Sequence, residues 1–352
     1  MEKYTEQPIF FNRNRVWRVY KGGALLERLI EGNEKGEDSD YPEEWIASVV
    51  EAINPNGTKA REGLSAAEGT GFTLKELIEK YPEKILGKKA QLGILVKYLD
   101  SAVRLPVQVH PDRDFSRKYL NDIYGKTEMW IVLDTRKDAC IYLGFKEHIT
   151  REEFAGLIER SECERDVLAS CLNRVEVKAG DVYLIPGKTV HAIGAGCLVL
   201  EIQEPTDYTI QPEYWCGDYR LSDEERYIGL LKERAIQCFD FGAKGQESIS
   251  ACKKSAVTES EDNNYRKERI VSGEETHCFG VNRYRIKTEM ALKQGAAVYV
   301  VTDGRGKVTG DKYARELKKG NYFFMPAAAK GRFRVRADRG YELEIIECIG
   351  AI

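Results

Sequence analysis

The stretch Val107-Gln108-Val109-His110-Pro111 carries two side chains that can bind a metal ion. Successive side chains of a strand point to opposite faces, so Gln108 and His110 are predicted on one face and the two valines on the other. Pro111 is predicted to end the strand. Polar side chains on a buried face need partners. A divalent metal ion is one such partner, because imidazole nitrogen and amide oxygen are both acceptable ligands.

Two further potential ligands stand at the ends of other strand-like segments. Glu128 opens the run "EMWIVLD", and His191 follows a Pro-Gly turn in "DVYLIPGKTVH". With the first pair they form a predicted ligand set for one divalent ion with an open position for a substrate. The alternative is that each histidine is a hydrogen-bonded structural residue. His148 and His277 have no comparable context and are interpreted as surface histidines.

Four cationic side chains near these positions could recognise a phosphate group, which requires charged donors. Lys126 lies two residues before the glutamate, and Lys188 lies three residues before the last histidine. Arg104 and Arg220 are the other two candidates. Most of the 54 lysines and arginines of the chain are solvated, so each candidate depends on its position in the fold.

The elements that must position these residues are mostly short strands. Three helix starts carry the capping-box pattern, a Ser or Thr followed three residues later by Glu, at Thr73, Thr150 and Ser222. Elsewhere the chain reads as apolar β-runs broken by Gly and Pro, such as "QLGILVKYLD", "CIYLGF", "CLVLEIQ", "AAVYVVTD" and "YELEIIE". This pattern predicts a sandwich or barrel with helical insertions.

An internal repeat divides the chain. "VEVKAGDVYLIP" (175–186) and "RELKKGNYFFMP" (315–326) share a glycine and a strand that closes on proline, which indicates two related β-units. The segment 241–266 is polar and is interpreted as a linker or exposed loop. We therefore predict a metal-bearing domain over 1–240 and a degenerate domain over 241–352, since no histidine follows the second repeat.

Composition limits the classes of function and the compartment. The net charge of −3 shows no footprint for nucleic acid, and no apolar run has the length needed to cross a membrane. The first residues lack the basic and then apolar pattern of a secretion signal. The nine cysteines include no C-x-x-C pair, which favours reduced thiols in a cytoplasm over disulfides or a cysteine zinc site.

At these motifs the sequence resembles the type I phosphomannose isomerases, especially their shorter bacterial members. The matching stretches are "QVHP" (108–111), "GKTEMW" (125–130), "GDVYLIPGKTVHAIGAG" (180–196) and "LEIQEPTD" (200–207), with a weaker echo in "EEWIAS" (43–48). The resemblance implies a mainly β fold of two cupin-type (jelly-roll) β-barrels, with helical insertions in the first barrel and no metal ligands in the second.

The resemblance also implies an activity and a site. It implies a zinc-dependent aldose-ketose isomerase that interconverts mannose 6-phosphate and fructose 6-phosphate, with one Zn²⁺ per chain. The implied zinc ligands are Gln108, His110, Glu128 and His191. Family positions near the reacting carbons fall on Lys126 and Glu201, and the candidates for the proton-transferring base are Glu201, Lys126 and a metal-bound water.

Two positions depart from the family pattern. An active-site arginine of the family falls on Gln211, which can donate a hydrogen bond but carries no charge. The usual Pro-x-Gly turn before the last ligand reads Pro186-Gly187-Lys188, so Lys188 is expected at the rim of the site. The alternatives are a metal-binding cupin that binds a sugar or sugar phosphate with weak or no turnover, and an isomerase of another aldose phosphate. A structural protein without metal is the remaining alternative.

Overall fold

Strands form most of the regular structure in the computed structural model, which describes residues 2–54 and 61–351. The predicted mainly β class is confirmed, and each apolar run quoted above contains a strand. The strand predicted at 107–110 is wrong, because these residues form only isolated bridges at Gln108 and Val109. The strands of the first 254 residues are β1 (Arg15–Val16), β2 (Glu43–Ile46), β3 (Leu95–Ser101), β4 (Glu128–Thr135), β5 (Cys140–Phe145), β6 (Leu172–Glu176), β7 (Val182–Ile185), β8 (His191–Ile193), β9 (Cys197–Gln203), β10 (Trp215–Cys216), β11 (Tyr219–Arg220) and β12 (Lys253–Lys254). They are followed by β13 (Val257–Glu261), β14 (Tyr265–Val271), β15 (Phe279–Ile286), β16 (Glu289–Ala291), β17 (Ala297–Asp303), β18 (Arg305–Gly310), β19 (Tyr313–Lys318), β20 (Tyr322–Met325), β21 (Arg334–Ala337) and β22 (Leu343–Gly350).

The helices are short and lie between the strands. They are α1 (Ala24–Glu31), α2 (Leu74–Lys80), α3 (Pro82–Leu86), α4 (Arg113–Tyr119), α5 (Arg151–Arg160), α6 (Val167–Ser170), α7 (Asp223–Tyr227), α8 (Lys232–Ala235), α9 (Gly245–Cys252) and α10 (Gly273–Thr276). The three predicted capping boxes are confirmed: Thr73, Thr150 and Ser222 each accept from the backbone N–H of the glutamate three residues on, whose side chain accepts from the cap. No helix of the described residues is long and apolar enough to cross a membrane.

The two largest sheets repeat one strand order. The seven-stranded sheet has the order β1-β2-β3-β9-β4-β7-β12, and the six-stranded sheet has the order β13-β14-β15-β22-β17-β20. The run β3-β9-β4-β7 corresponds to β15-β22-β17-β20, and the small sheets contain the corresponding runs β6-β5-β8 and β19-β18-β21. Within the described residues these sheets are open, and none closes on itself as a barrel.

The sequence repeat occupies corresponding places in the two halves. Gly180 and Gly320 have φ values of 93° and 86°, a left-handed conformation that glycine adopts without strain. Gly180 N–H donates to Val132 O at 2.8 Å, and Gly320 N–H donates to Val301 O at 2.9 Å. Each turn therefore leads into a strand, β7 or β20, that occupies the corresponding place beside β4 or β17.

One hydrophobic cluster joins the two halves. It contains Val96, Met129 and Leu200 from the first large sheet and Val298 and Ile346 from the second, so these sheets share one core. Separate clusters fill the space between the large and small sheets of each half. The segment 241–266, expected as a linker or loop, instead contains α9, β12 and β13, and β12 pairs with β7 of the first large sheet.

Candidate metal centre and cavity

Three of the four predicted ligands form a compact buried cluster. Glu128 lies at the start of β4 and His191 at the start of β8, while His110 follows the backbone bridge at residues 108–109. The Glu128 carboxylate is 3.1 Å from His110 Nε2 and 3.3 Å from His191 Nε2. One ligand atom from each residue lies within 4.8 Å of the others, so the cluster could hold a metal ion.

Backbone pairing places the two histidines side by side. Gln108 N–H donates to His191 O at 2.8 Å, and His191 N–H donates to Gln108 O at 2.9 Å. Val107 and Val109 are fully buried in the apolar core on the other face, as the alternation predicted. After His110 the chain turns at Pro111, whose carbonyl accepts from Lys126 N–H at 2.9 Å.

Two glycines permit this close packing. A Cβ on Gly125 would lie 2.7 Å from Pro111 O, and a Cβ on Gly187 would lie 2.9 Å from Asp112 Cα. Both contacts are with backbone atoms, so any side chain at either position would push the turn after His110 away. The Pro186-Gly187-Lys188 order thus has a steric reason, because Gly187 is required by close approach.

Hydrogen bonds fix the tautomers of both histidines. Nδ1 of His110 lies 2.9 Å from Tyr208 O, and Nδ1 of His191 lies 2.9 Å from Thr189 O. A carbonyl only accepts, so each Nδ1 carries the proton and each Nε2 presents a lone pair to Glu128. His191 Nε2 and Glu128 Oε2 are buried without a hydrogen bond. Two lone pairs facing a carboxylate are repulsive unless a cation lies between them, so these residues fit a divalent ion.

Gln108, the fourth predicted ligand, lines the same cavity as Glu128. Its side chain makes no hydrogen bond to any residue of the described ranges, although Gln108 is only 7% exposed. An unpaired amide of this kind at the cavity wall is available to an ion or a substrate.

Lys126 brings a positive charge to the cluster. Its Nζ lies 3.0 Å from His110 Nε2 and 3.3 Å from Glu128 Oε2. Burial and then the Lys126 ammonium lower the pKa of His110 to about 3, so this imidazole is neutral. Burial alone would raise the pKa of Glu128, but the positive charge of Lys126 acts in the opposite direction, and the pKa lies well below its usual range.

A chain of buried charges that the sequence analysis did not identify extends from this cluster. Lys97 Nζ lies 3.3 Å from Glu201 Oε1 and 3.6 Å from Glu43 Oε2. Arg18 contacts Glu43 at 3.2 Å and Asp207 at 3.0 Å. Burial and the Glu128 charge raise the pKa of Glu201 to about 8, against the opposing effect of Lys97. A lysine within the otherwise apolar run "LVKYL" was the available signal for this chain of charges.

These groups line one cavity of about 670 Å³, which is large enough for a sugar phosphate. One part of its wall contains Gln108, Lys126, Glu128, Lys97 and Glu201. Both histidine rings of the cluster are buried behind this wall. The cavity therefore combines the candidate metal ligands with two groups able to hold or move a proton.

The remaining predicted residues occupy different positions. Arg220 and Gln211 line the cavity, whereas Arg104 and Lys188 do not. Arg104 is held by Glu213 at 2.8 Å. Lys188 adopts a left-handed conformation with φ 73°, and its N–H donates to His110 O. Gln211 donates from Nε2 to Glu225 O at 3.3 Å.

Comparison with known proteins gives consistent relatives over nearly the whole chain. No protein-family model matches. The chain is 32% identical over 355 aligned positions to the mannose-6-phosphate isomerase ManA of Bacillus subtilis (strain 168), with 98% of each covered. It is 28% identical over 329 positions to the mannose-6-phosphate isomerase of Streptococcus mutans, with 92% of this chain and 94% of that protein covered.

Solved structures agree. The mannose 6-phosphate isomerase structure from Bacillus subtilis superposes with a TM-score of 0.72 at 25% identity, covering 97% of this chain and 99% of that one. A phosphomannose isomerase variant from Salmonella typhimurium gives a TM-score of 0.71 at 14% identity, covering 98% and 100%, which supports the fold alone.

Proposed function

Because the chain belongs to the mannose-6-phosphate isomerase family, we propose that it interconverts mannose 6-phosphate and fructose 6-phosphate with one zinc ion per chain. The observation that carries the proposal is the buried cluster of His110, Glu128 and His191 beside Lys126 on the wall of a cavity that also contains Glu201. Mixed nitrogen and oxygen ligands suit zinc.

Four residues would bind the metal ion that the reaction requires. His110, Glu128, His191 and Gln108 would hold the ion. A bound zinc ion supplies a positive charge that stabilises negative charge on the sugar oxygens. Moving the carbonyl between C1 and C2 requires a proton to leave one carbon and return to the other.

We assign the proton transfer to Glu201. Glu201 lies on the cavity wall that also carries Gln108 and Glu128, where a carboxylate can take and return a proton. As a carboxylate, Glu201 takes the proton from C2 of the sugar and then returns it at C1, so Glu201 ends the cycle unchanged. Lys126 and Lys97 place ammonium groups on the same wall, where they favour negative charge on the enediolate oxygens.

Arg220 is the proposed anchor for the phosphate. Its side chain is 55% exposed and pairs with Glu162 at the rim. Such surface ion pairs contribute about 0–1 kcal/mol of stabilisation, so a phosphate can displace Glu162 at little cost in free energy. Lys97 is buried between two carboxylates, and breaking buried pairs of this kind costs about 3–5 kcal/mol. Arg104 and Lys188 lie off the cavity wall.

We propose further that the chain consists of two cupin-type units, 1–240 and 241–352, with the ion in the first. The matching strand orders support this duplication. In register, Glu201 of β9 corresponds to Glu347 of β22, and Glu128 corresponds to Ala297. The nine cysteines are free thiols, which supports a place in the reducing cytoplasm.

The test is conversion of mannose 6-phosphate to fructose 6-phosphate by metal-stripped protein before and after zinc is restored. We expect activity only with zinc. His191→Ala should lose both the stoichiometric metal and the activity, while His148→Ala, an exposed histidine, should keep both. Loss of metal binding in both variants would mean general damage to the protein.

One observation favours a second candidate, a zinc protein that binds a sugar phosphate without efficient turnover. Gln211 supplies no charge to the cavity, and its side chain is engaged with Glu225 O. Stoichiometric zinc without conversion of mannose 6-phosphate would support this candidate, as would a gain of activity in Gln211→Arg. A panel of other aldose 6-phosphates separates it from an isomerase of a different sugar.

A further inference from the structure

Arg18 places a guanidinium group on the wall of the cavity. It comes from the N-terminal segment, immediately after Trp17, and its side chain is only 11% exposed. A buried arginine on a cavity wall is a candidate for substrate recognition, because it presents several N–H donors in a fixed plane.

The protein holds this side chain in one orientation. Arg18 Nε lies 3.2 Å from Glu43 Oε1, Nη2 donates to Asp207 at 3.0 Å, and Nη1 donates to Asn54 at 2.8 Å. The guanidinium carbon lies 5.2 Å from the centre of the Trp45 ring. A ligand therefore meets an ordered donor and loses little binding free energy to ordering it.

These contacts do not use all of the donors. A guanidinium has five N–H bonds, and Arg18 engages one on each of its three nitrogens. One N–H on each terminal nitrogen is left without an acceptor from residues 2–54 and 61–351. Buried donors are costly when unpaired, so these two N–H bonds suit an oxygen of a ligand in the cavity.

The charges around Arg18 determine which kind of ligand oxygen its two unpaired N–H bonds can bind. Glu43 and Asp207 contact Arg18, and Lys97 also contacts Glu43, so these four charges sum to zero by formal count. A doubly charged phosphate therefore gains no net attraction there, whereas hydroxyl and carbonyl oxygens accept N–H bonds without adding charge. On the proposed function, on which this inference rests, we propose that Arg18 binds the sugar oxygens of the open-chain substrate while Arg220 binds its phosphate.

This assignment also bears on Gln211, which stands where the family has an active-site arginine. Gln211 lies four residues after Asp207, the carboxylate that holds Arg18, and both line the cavity. Arg18 supplies a guanidinium, from a distant part of the sequence, to the same cavity in which Gln211 supplies none. The two positions are then expected to act on the same substrate.

The experiment is calorimetric binding of mannose 6-phosphate, and separately of inorganic phosphate, to the zinc-loaded protein. Arg18→Lys keeps the positive charge between Glu43 and Asp207 but loses the planar donors. We expect it to weaken mannose 6-phosphate binding at least tenfold and to change phosphate binding less than twofold. The matched variant Arg220→Gln should weaken the binding of both ligands.

A second variant protects the test against misfolding. Asn54→Ala removes an anchor of Arg18 without removing a charge, and should weaken mannose 6-phosphate binding several-fold with phosphate binding unchanged. Gln211→Arg should raise the affinity for mannose 6-phosphate more in the Arg18→Lys variant than in the natural protein. The reason is that the effects of substitutions at positions 18 and 211 are not independent.

The outcomes separate the two proposals. Unchanged mannose 6-phosphate affinity in both Arg18→Lys and Asn54→Ala overturns the role of Arg18. Equal losses for phosphate and mannose 6-phosphate in Arg18→Lys also overturn it, because Arg18 would then belong to the phosphate subsite. A natural protein that binds mannose 6-phosphate through Arg18 but does not convert it refutes the isomerase and leaves Arg18 in place. If the natural protein does not bind mannose 6-phosphate, the proposed function and the role of Arg18 are both refuted.

Discussion

Lys97 and Glu201 are register partners on the adjacent strands β3 and β9, and their side chains meet at 3.3 Å. Both are almost completely buried, at 3% and 2% exposure, so neither charge is solvated by water. Lys97 also contacts Glu43, which places one ammonium between two carboxylates. The proposed proton carrier is thus held by a partner on the neighbouring strand.

Lys97→Met is expected to lower the free energy of unfolding by about 3 kcal/mol, because it leaves the buried Glu201 without its cation, while Glu43 keeps Arg18. Urea unfolding measures the change. Glu201→Gln in the same background should recover part of the loss, with a coupling above about 1 kcal/mol. Additive effects of the two substitutions would show that the 3.3 Å contact contributes no coupling.

Gly125→Ala and Gly187→Ala are each expected to weaken zinc binding about 10-fold or more, by displacing the turn that follows His110. The added Cβ atoms meet backbone atoms of Pro111 and Asp112. A competition titration with a chelator measures the affinity. Gly156→Ala makes the same chemical change in α5, where the Cβ meets nothing within 4 Å, and should leave zinc affinity unchanged.

Lys188→Gly is expected to raise the free energy of unfolding by about 0.5–1 kcal/mol. The left-handed conformation at φ 73° costs a non-glycine residue about 1–2 kcal/mol, and part of the gain is offset by the flexibility of unfolded glycine. Lys188→Ala retains the strain and should show no gain. Because Lys188 lies off the cavity wall, neither variant should alter the affinity for mannose 6-phosphate. A tenfold loss of affinity would show that Lys188 takes part in substrate binding.

Glu44 should make stability depend on pH. Burial raises its pKa, against the hydrogen bond donated by Tyr322. An acid whose folded pKa exceeds its unfolded value contributes stability below the unfolded pKa and loses it as pH rises toward the folded pKa. Glu44→Gln mimics the protonated form, so its free energy of unfolding relative to the natural protein should increase between pH 4 and 7. A difference that is constant with pH, measured by urea unfolding, would contradict this expectation.

Much of the site could be predicted because the metal cluster uses local patterns. The alternation at 107–110 fixed which side chains share a face, and Glu128 and His191 stand at strand starts that hydrophobic runs reveal. The resemblance then selected Lys126 and Glu201. Capping boxes predicted three helix starts for the same reason, since each depends on residues three positions apart.

The charged chain from Glu201 to Asp207 could not be predicted in this way. Arg18 meets Asp207 across 189 positions of sequence, and no local period reports such a contact. Arg104 was instead predicted at the site because it closely precedes the "QVHP" stretch in sequence. In the structure its side chain pairs with Glu213 and does not line the cavity. The polar segment 241–266 looked like a linker because pairing of β12 with β7 depends on a partner strand about 70 positions earlier.

The core shared by the two large sheets has a consequence for cooperativity. Val96 and Leu200 on one sheet and Val298 and Ile346 on the other belong to one buried cluster, so the halves cannot separate without exposing apolar surface of both sheets to water. We therefore expect one unfolding transition with no stable half-folded species. Residues 241–352 expressed alone should aggregate, despite carrying a complete set of sheets.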